Sequence, residues 1–151
     1  MRTRISALLC LGIVGATMAA DPAVIEPKEL AAELAQLKAK DSKPVLFFVG
    51  FAVMFRRHIP GSTFIGPTSR AESLTALKAA VARLPRDGEL IIYCGCCPWD
   101  MCPNVKPAVE LLKQMGFQHV KVLMIPTNFA RDWIDQGYPA EQAPSPGSRI
   151  P

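Results

Sequence analysis

Histidine is scarce in this chain: two in 151 residues, His58 and His119. Neither lies near the cysteines in sequence, and the cysteine spacing does not match the paired Cys-x2-Cys zinc pattern. A large excess of one charge is also missing. The chain has 17 basic and 13 acidic residues, and two of the basic ones, Arg2 and Arg4, sit at the N-terminal end. Without them the balance is 15 to 13, an excess of +2 that is too weak for a nucleic-acid-binding surface. The N-terminal apolar run, Ile5 to about Thr17, is too short for a membrane span. No internal repeat is visible, which excludes a repeat architecture. Half the residues are hydrophobic and a fifth are charged, the balance of one packed globular domain.

The N-terminus reads as an address. Arg2 and Arg4, the apolar run and the small residues Ala16 to Ala20 follow the layout of a secretory signal peptide. Residues 1–20 are therefore expected to be removed, with cleavage after Ala19 or Ala20; the alternative is an uncleaved anchor. Cys10 follows no lipobox-like pattern and leaves with the segment. The mature protein is expected to be periplasmic or secreted, touching a membrane only through its signal peptide. Four cysteines remain, in a compartment that oxidises thiols.

Strand and helix signals then alternate. Val24-Ile25 is a short strand, and Leu30, Leu34 and Leu37 mark a helix over Glu29–Lys40. Asp41-Ser42-Lys43-Pro44 breaks it. Val45–Val49 is a continuous apolar run of strand length, as in a strand covered on both faces. A loop with the turn pair Pro60-Gly61 follows. Ser69 is expected to cap a helix whose apolar face is Leu74, Leu77, Ala80, Val81 and Leu84. Leu90–Tyr93 is a second buried strand, Val120–Ile125 a third. Between them a helix is capped by Asn104, tolerates Pro107 in its first turn and ends at Gly116. Phe129–Gln136 reads as a short helix before Gly137-Tyr138-Pro139. Residues 142–151 read as a disordered Pro/Ser-rich tail, which leaves 21–141 as the domain. The alternation predicts an α/β fold with a mostly parallel sheet and helices on both faces.

The stretch that carries chemistry is Tyr93-Cys94-Gly95-Cys96-Cys97-Pro98-Trp99-Asp100-Met101-Cys102-Pro103-Asn104, which holds four of the five cysteines. Cys94 stands at the carboxyl end of a strand, where such sheets bind ligands. The helix beginning near Asn104 aims its free N–H groups at the same region, where they favour a thiolate or a bound anion. A thiol so placed is nucleophilic: it attacks a sulfane sulfur, becomes a persulfide and passes the terminal sulfur on.

Several short motifs resemble those of rhodanese-like (sulfurtransferase) domains. His58-Ile59-Pro60-Gly61-Ser62 is similar to that family's HIPGA segment, and Leu90–Cys94 to its strand entering the catalytic cysteine. Leu111-Leu112, Met115-Gly116-Phe117 and Val120–Leu123 are similar to its LL…GF…V..L stretch, and Trp133 with Gly137-Tyr138-Pro139 to its closing W…GYP. They occur in family order from about Ile25 to Pro139. The resemblance implies a three-layer rhodanese-like fold and makes Cys94 the persulfide-carrying residue, with Gly95, Cys96, Cys97, Pro98, Trp99, Asp100, Met101 and Cys102 as its active-site loop. The loop is longer than the family's by roughly five residues, and its only charge between Cys94 and Asn104 is Asp100. An anionic donor would rely on backbone N–H groups, Lys106, or residues from elsewhere such as Arg56 and Arg57. The Arg used at the loop's end by related phosphatases is missing, so phosphatase and arsenate reductase chemistry are not expected.

Three readings of the further thiols stay open. Cys96, Cys97 or Cys102 resolves an oxidised or persulfidated Cys94 as a disulfide that a periplasmic thiol reductant reopens. Alternatively they form a structural disulfide pinning the loop, or thiolates suited to a soft metal, Cu(I) or zinc. No cofactor and no metal ligands are assigned; the expected partners are a small sulfur-containing donor and a thiol acceptor. A non-catalytic module that binds a metal or a protein through this loop is the alternative function. His58 is expected to fix its loop, His119 to lie on the surface, Trp99 to pack the loop and Trp133 to be core. Protein recovered from its source should begin at Ala20 or Asp21 on N-terminal sequencing; an intact Met1 would refute the cleaved leader.

Overall fold

The structure is a computed structural model that describes residues 22–37 and 43–143. The leader, residues 38–40 of the helix expected over Glu29–Lys40, Asp41-Ser42 of the breaker and the tail from residue 144 lie outside the described residues; within them the first helix starts earlier, at Pro27, and ends at Gln36, with Leu37 already extended. In chain order the elements are β1 (Ala23–Ile25), α1 (Pro27–Gln36), β2 (Val45–Phe48), β3 (Arg57–His58), β4 (Thr63–Phe64), α2 (Ala71–Val81), β5 (Glu89–Tyr93), α3 (Val105–Gln114), β6 (His119–Leu123) and β7 (Glu141–Gln142). Single 3-10 turns occupy Ala52–Met54 and Trp99–Met101, and a π-helical turn occupies Ala130–Ile134.

The apolar runs form a five-stranded parallel sheet in the order β1-β6-β5-β2-β4, with β5 at its centre. Pairing is in register from Val45↔Leu90 to Phe48↔Tyr93 on one side of β5 and from Glu89↔His119 to Ile92↔Val122 on the other. Because successive side chains on a strand point to opposite faces, the runs feed two cores. Phe47, Leu90, Ile92, Val120 and Val122 pack with Leu77 and Val81 of α2 and Val105, Ala108, Val109 and Leu112 of α3. Leu46, Phe48, Ile91, Tyr93 and Leu123 pack with Leu30 of α1 and with Phe129 and Trp133 around the π-helical turn. Each of these large side chains, when fully buried, contributes roughly 1.5–3 kcal/mol. The result is the expected three-layer α/β arrangement.

Several local readings change. The buried stripe of α2 is Ser73, Leu77 and Val81, one residue per turn, and Ala80 is exposed. Ser69 does not cap α2, whose N-cap is Arg70. Of the segment 129–136, expected as a short helix, Ala130–Ile134 is a π-helical turn, with Asp135 N–H donating to Ala130 O five residues back at 2.8 Å; the Asp132 carboxylate accepts the backbone N–H groups of Thr127 (2.6 Å) and Asn128 (3.0 Å) at its entry. Gln142, expected in the tail, pairs with Arg57 in the antiparallel β3–β7 ribbon, and Ala143 N–H donates to Arg56 O at 3.0 Å. Strands of two residues carry no periodicity, so β3, β4 and β7 left no trace in the sequence.

The His58–Ser62 segment is fastened by contacts distant in sequence. Gly61 has φ +78 in the Pro60-Gly61 turn, closed by Ser62 N–H to Ile59 O at 3.1 Å. Glu141 accepts Gly61 N–H at 3.0 Å and lies 3.0 Å from His58 Nε2. The buried Tyr93 hydroxyl donates to Ser62 Oγ at 2.8 Å and accepts Ile59 N–H at 3.2 Å, and burial pushes its pKa up. Tyr93→Phe strands the buried Ile59 N–H and should cost roughly 1–3 kcal/mol in denaturant unfolding; an unchanged midpoint would show that the clamp carries no stability.

Candidate functional site

Alternation along β5 decides where the first cysteine goes. Leu90, Ile92 and Cys94 share the face covered by α2 and α3, whereas Tyr93 points to the opposite core. The chain then leaves the sheet as the 95–104 loop. Two backbone hydrogen bonds tie this loop to the segment after β6: Phe129 N–H to Gly95 O at 3.3 Å and Trp99 N–H to Ile125 O at 2.9 Å. The turn at Trp99–Met101 brings Cys102 back under it, and α3 starts at Val105. Gly50, at the end of the β2 strand, lets the backbone pass close by: a Cβ there would lie 2.7 Å from Phe48 Cζ and 3.0 Å from Cys94 Sγ.

Three sulfurs meet in this space. Those of Cys94, Cys96 and Cys102 all lie within 4.8 Å of one another, with Cys94 and Cys96 at 3.4 Å. Cys97 Sγ is 3.1 Å from that of Cys96. All four are free thiols; Cys94 and Cys102 are buried, Cys97 is half-buried and Cys96 is exposed. Trp99 packs half-buried against the α2/α3 core, while Asp100 and Met101 face solvent away from the sulfurs. The loop's one acidic group therefore stays out of the cluster.

The thiols differ in their electrostatics. Cys102 is lowered to about 5, first by the hydrogen bond from Cys94 and then by the backbone N–H groups of Asn104 and Val105 at the start of α3; burial opposes this. Cys94 is raised, first because it gives its proton to the hydrogen bond with Cys102 and then by burial. Burial, followed by its neighbouring thiols, also raises Cys97. The helix N-terminus expected to activate Cys94 thus acts on Cys102. The reason is geometric: the long loop returns Cys102 to the two residues that open α3, leaving Cys94 one sulfur further away.

Asn104 is not the side-chain cap it was expected to be. It is buried, its Oδ1 accepts Ser69 N–H at 3.1 Å, and its backbone carbonyl accepts the hydroxyl of the buried Thr68. Its Nδ2 points at Cys94 Sγ from 3.9 Å, so one side chain links the segment before α2 to the sulfur cluster. The pairing of Asn104 with Thr68 and Ser69 spans about 35 positions and has no local sequence signal.

No family model matches this sequence, and no curated protein matches it. Solved structures do. The Alr3790 protein from Anabaena sp. superposes with a TM-score of 0.57 at 18% identity over 78% of this chain and 91% of its own. Ygr203w, a yeast protein tyrosine phosphatase of the Rhodanese family, matches with a TM-score of 0.51 at 16% identity over 76% and 85%. The chain has the rhodanese fold. EanB, solved in complex with ergothioneine, matches with a TM-score of 0.58 at 17% identity, covering 81% of this chain but 28% of EanB. At such identities the likeness is one of fold.

The rest of the rhodanese-fold face explains the other marked residues. His58 lies between the Phe55 carbonyl, 3.0 Å from Nδ1, and Glu141, with its ring stacked on Phe55 at 3.9 Å. It clamps the loop and stands apart from the sulfurs. His119 is exposed and Trp133 is fully buried with Nε1 donating to Pro139 O at 2.8 Å. Lys106 is exposed and 4.0 Å from Glu110. Arg56 and Arg57 line an open cleft of about 470 Å³ together with Met54, Gly95, Cys96 and Phe129. Basic residues absent from the loop thus share a cleft with the exposed thiol, from a segment about 40 positions earlier.

In the reduced protein, one thiolate should absorb in the ultraviolet down to about pH 5 and titrate away below it. Cys102→Ser should remove that absorption, and Cys94→Ser should move its midpoint upward by removing the donor. A thiolate that survives in Cys102→Ser would assign the low value to another cysteine.

Proposed function

We propose that this chain is an exported sulfur-transfer protein that carries sulfane sulfur as a persulfide on Cys94 and discharges it through its neighbouring thiols. The observation that carries the reading is the junction of Cys94, at the carboxyl end of the central strand, with two further sulfurs within 4.8 Å. A donor persulfide R–S–SH enters at the cleft where Cys96 is exposed. Cys94 passes its proton to the Cys102 thiolate and its sulfur attacks the donor's outer sulfur. The donor S–S bond breaks, Cys94–S–SH forms, and R–S⁻ takes the proton back from Cys102 and leaves as R–SH. A thiol acceptor then takes the outer sulfur, which regenerates Cys94. Alternatively, the thiolate of Cys102 or Cys96 attacks Cys94 Sγ; a disulfide forms, hydrosulfide leaves, and the protein has lost two electrons. An external dithiol reductant, expected in a periplasmic or secreted setting, restores both thiols.

The loop's lack of basic residues favours a neutral or singly charged persulfide or polysulfide donor over thiosulfate. Arg56 and Arg57 supply what attraction an anion meets.

The test uses reduced, metal-free protein treated with inorganic polysulfide and read by peptide mass spectrometry. One added sulfur is expected on the peptide bearing Cys94, none in Cys94→Ser, and longer-lived persulfide in Cys102→Ser. An added sulfur that persists in Cys94→Ser would refute Cys94 as the carrier. With thiosulfate as donor, Arg56→Ala with Arg57→Ala should slow the reaction about 10-fold or more, the loss of roughly 1.4 kcal/mol of transition-state attraction; with neutral organic persulfides the same pair should change it little.

A further inference from the structure

Sulfur transfer leaves part of the sulfur cluster unexplained. Transfer through Cys94 needs one carrier and at most one resolving thiol, yet three sulfurs converge. Their arrangement is that of a ligand set. A metal bonded to thiolates at about 2.3 Å in a flat three-coordinate site holds its sulfurs about 4 Å apart. Here one pair stands at 3.4 Å and all three lie within 4.8 Å, so an ion fits between them with side-chain adjustment alone. We propose that Cys94, Cys96 and Cys102 form a three-thiolate site for a soft monovalent metal ion, Cu(I).

The choice of ion follows from what surrounds the sulfurs. Among the described residues no histidine or carboxylate joins the three, and Asp100 faces solvent. Cys97, although 3.1 Å from Cys96, does not fall within 4.8 Å of all three. Cys97 meets Cys96 and Cys102 but not Cys94, so among the described residues no fourth ligand stands within 4.8 Å of all three as a structural zinc site requires, whereas thiolate softness and low coordination number suit Cu(I). Cys94 and Cys102 belong to the apolar core of the α2/α3 face, which shields a bound ion from water and dioxygen. Exposed Cys96 is the entry ligand, presented at the mouth of the Arg56/Arg57 cleft. Three thiolates with one monovalent cation leave two negative charges. Asn104 Nδ2, 3.9 Å from Cys94 Sγ, and the start of α3 face that charge.

Loading moves no electrons. Three copper–sulfur bonds form, copper stays monovalent, and the remaining thiol protons go to solvent. The site does not rest on the sulfur-transfer reading, but the two exclude each other in time, because a coordinated Cys94 is withheld from a sulfane donor.

The experiment is an anaerobic titration of the reduced full-length chain with Cu(I) buffered by a chromophoric chelator. One equivalent should be withdrawn, with an X-ray absorption shell of sulfur only. Cys94→Ser, Cys96→Ser and Cys102→Ser should each weaken binding by more than the roughly 10–100-fold that losing an outer-shell partner costs, and Cys97→Ser should not. Thermal unfolding of each variant checks its folding, and exposed Cys96→Ser tests the site even if the buried variants fail to fold. Copper left with the chelator, nitrogen or oxygen in the metal's shell, equal weakening by Cys97→Ser, or preference for zinc over Cu(I) would each overturn the site. Polysulfide labelling of metal-free protein is read separately, so failure of copper binding leaves the Cys94 persulfide standing, and the reverse.

Discussion

Two adjacent side chains at the end of β5, Tyr93 and Cys94, point to opposite faces of the sheet, and most of the functional face hangs on that alternation. Tyr93 enters the α1 side, where its hydroxyl holds Ile59 and Ser62. Cys94 enters the α3 side, where it meets Cys102 and Asn104. A one-residue slip of β5 would exchange the two, burying a thiol against Phe129 and a phenol against α3. The register with β2 and β6 on both sides of β5 prevents that slip.

The thiols then take their characters from distance to α3 and to solvent. Cys102 gains the backbone N–H groups that open the helix, Cys94 is proton-holding and enclosed, and Cys96 is exposed at the Arg56/Arg57 cleft. One cluster therefore contains a sulfur of lowered pKa, a protected sulfur and an accessible sulfur within 4.8 Å. A persulfide carrier and a soft-metal site draw on the same three properties: softness, proximity and shelter from water. The loop tolerates its length because it is pinned at Gly95 and Trp99 to the segment after β6.

Much of this was legible in the chain itself. The apolar runs at 45–49 and 90–93, the Leu and Val spacing of α3 and the ordered short motifs marked the rhodanese fold, because buried parallel strands and amphipathic helices leave dense local patterns. The crowding of Cys94, Cys96, Cys97 and Cys102 marked the candidate site, and the structure brings three of those sulfurs within 4.8 Å of one another. The stripe of α2 was misplaced because Ser73 occupies a buried position that a hydrophobicity reading passes over. Asn104 was read as a cap because its position fits one, while its side chain is engaged by Ser69 and Cys94 instead.

The sequence by itself determined the long buried strands of the sheet, their two-faced burial and the strand end that delivers Cys94, since these follow from continuous apolar runs and from residues adjacent in the chain. Only the tertiary structure decided which sulfur receives the amides of α3, which of them reaches solvent, and that Arg56 and Arg57 share a cleft with Cys96. Those outcomes depend on separations of a few ångströms between residues up to about 40 positions apart. Hydrogen bonds, thiol ionisation and metal coordination respond to such separations, and sequence spacing does not encode them.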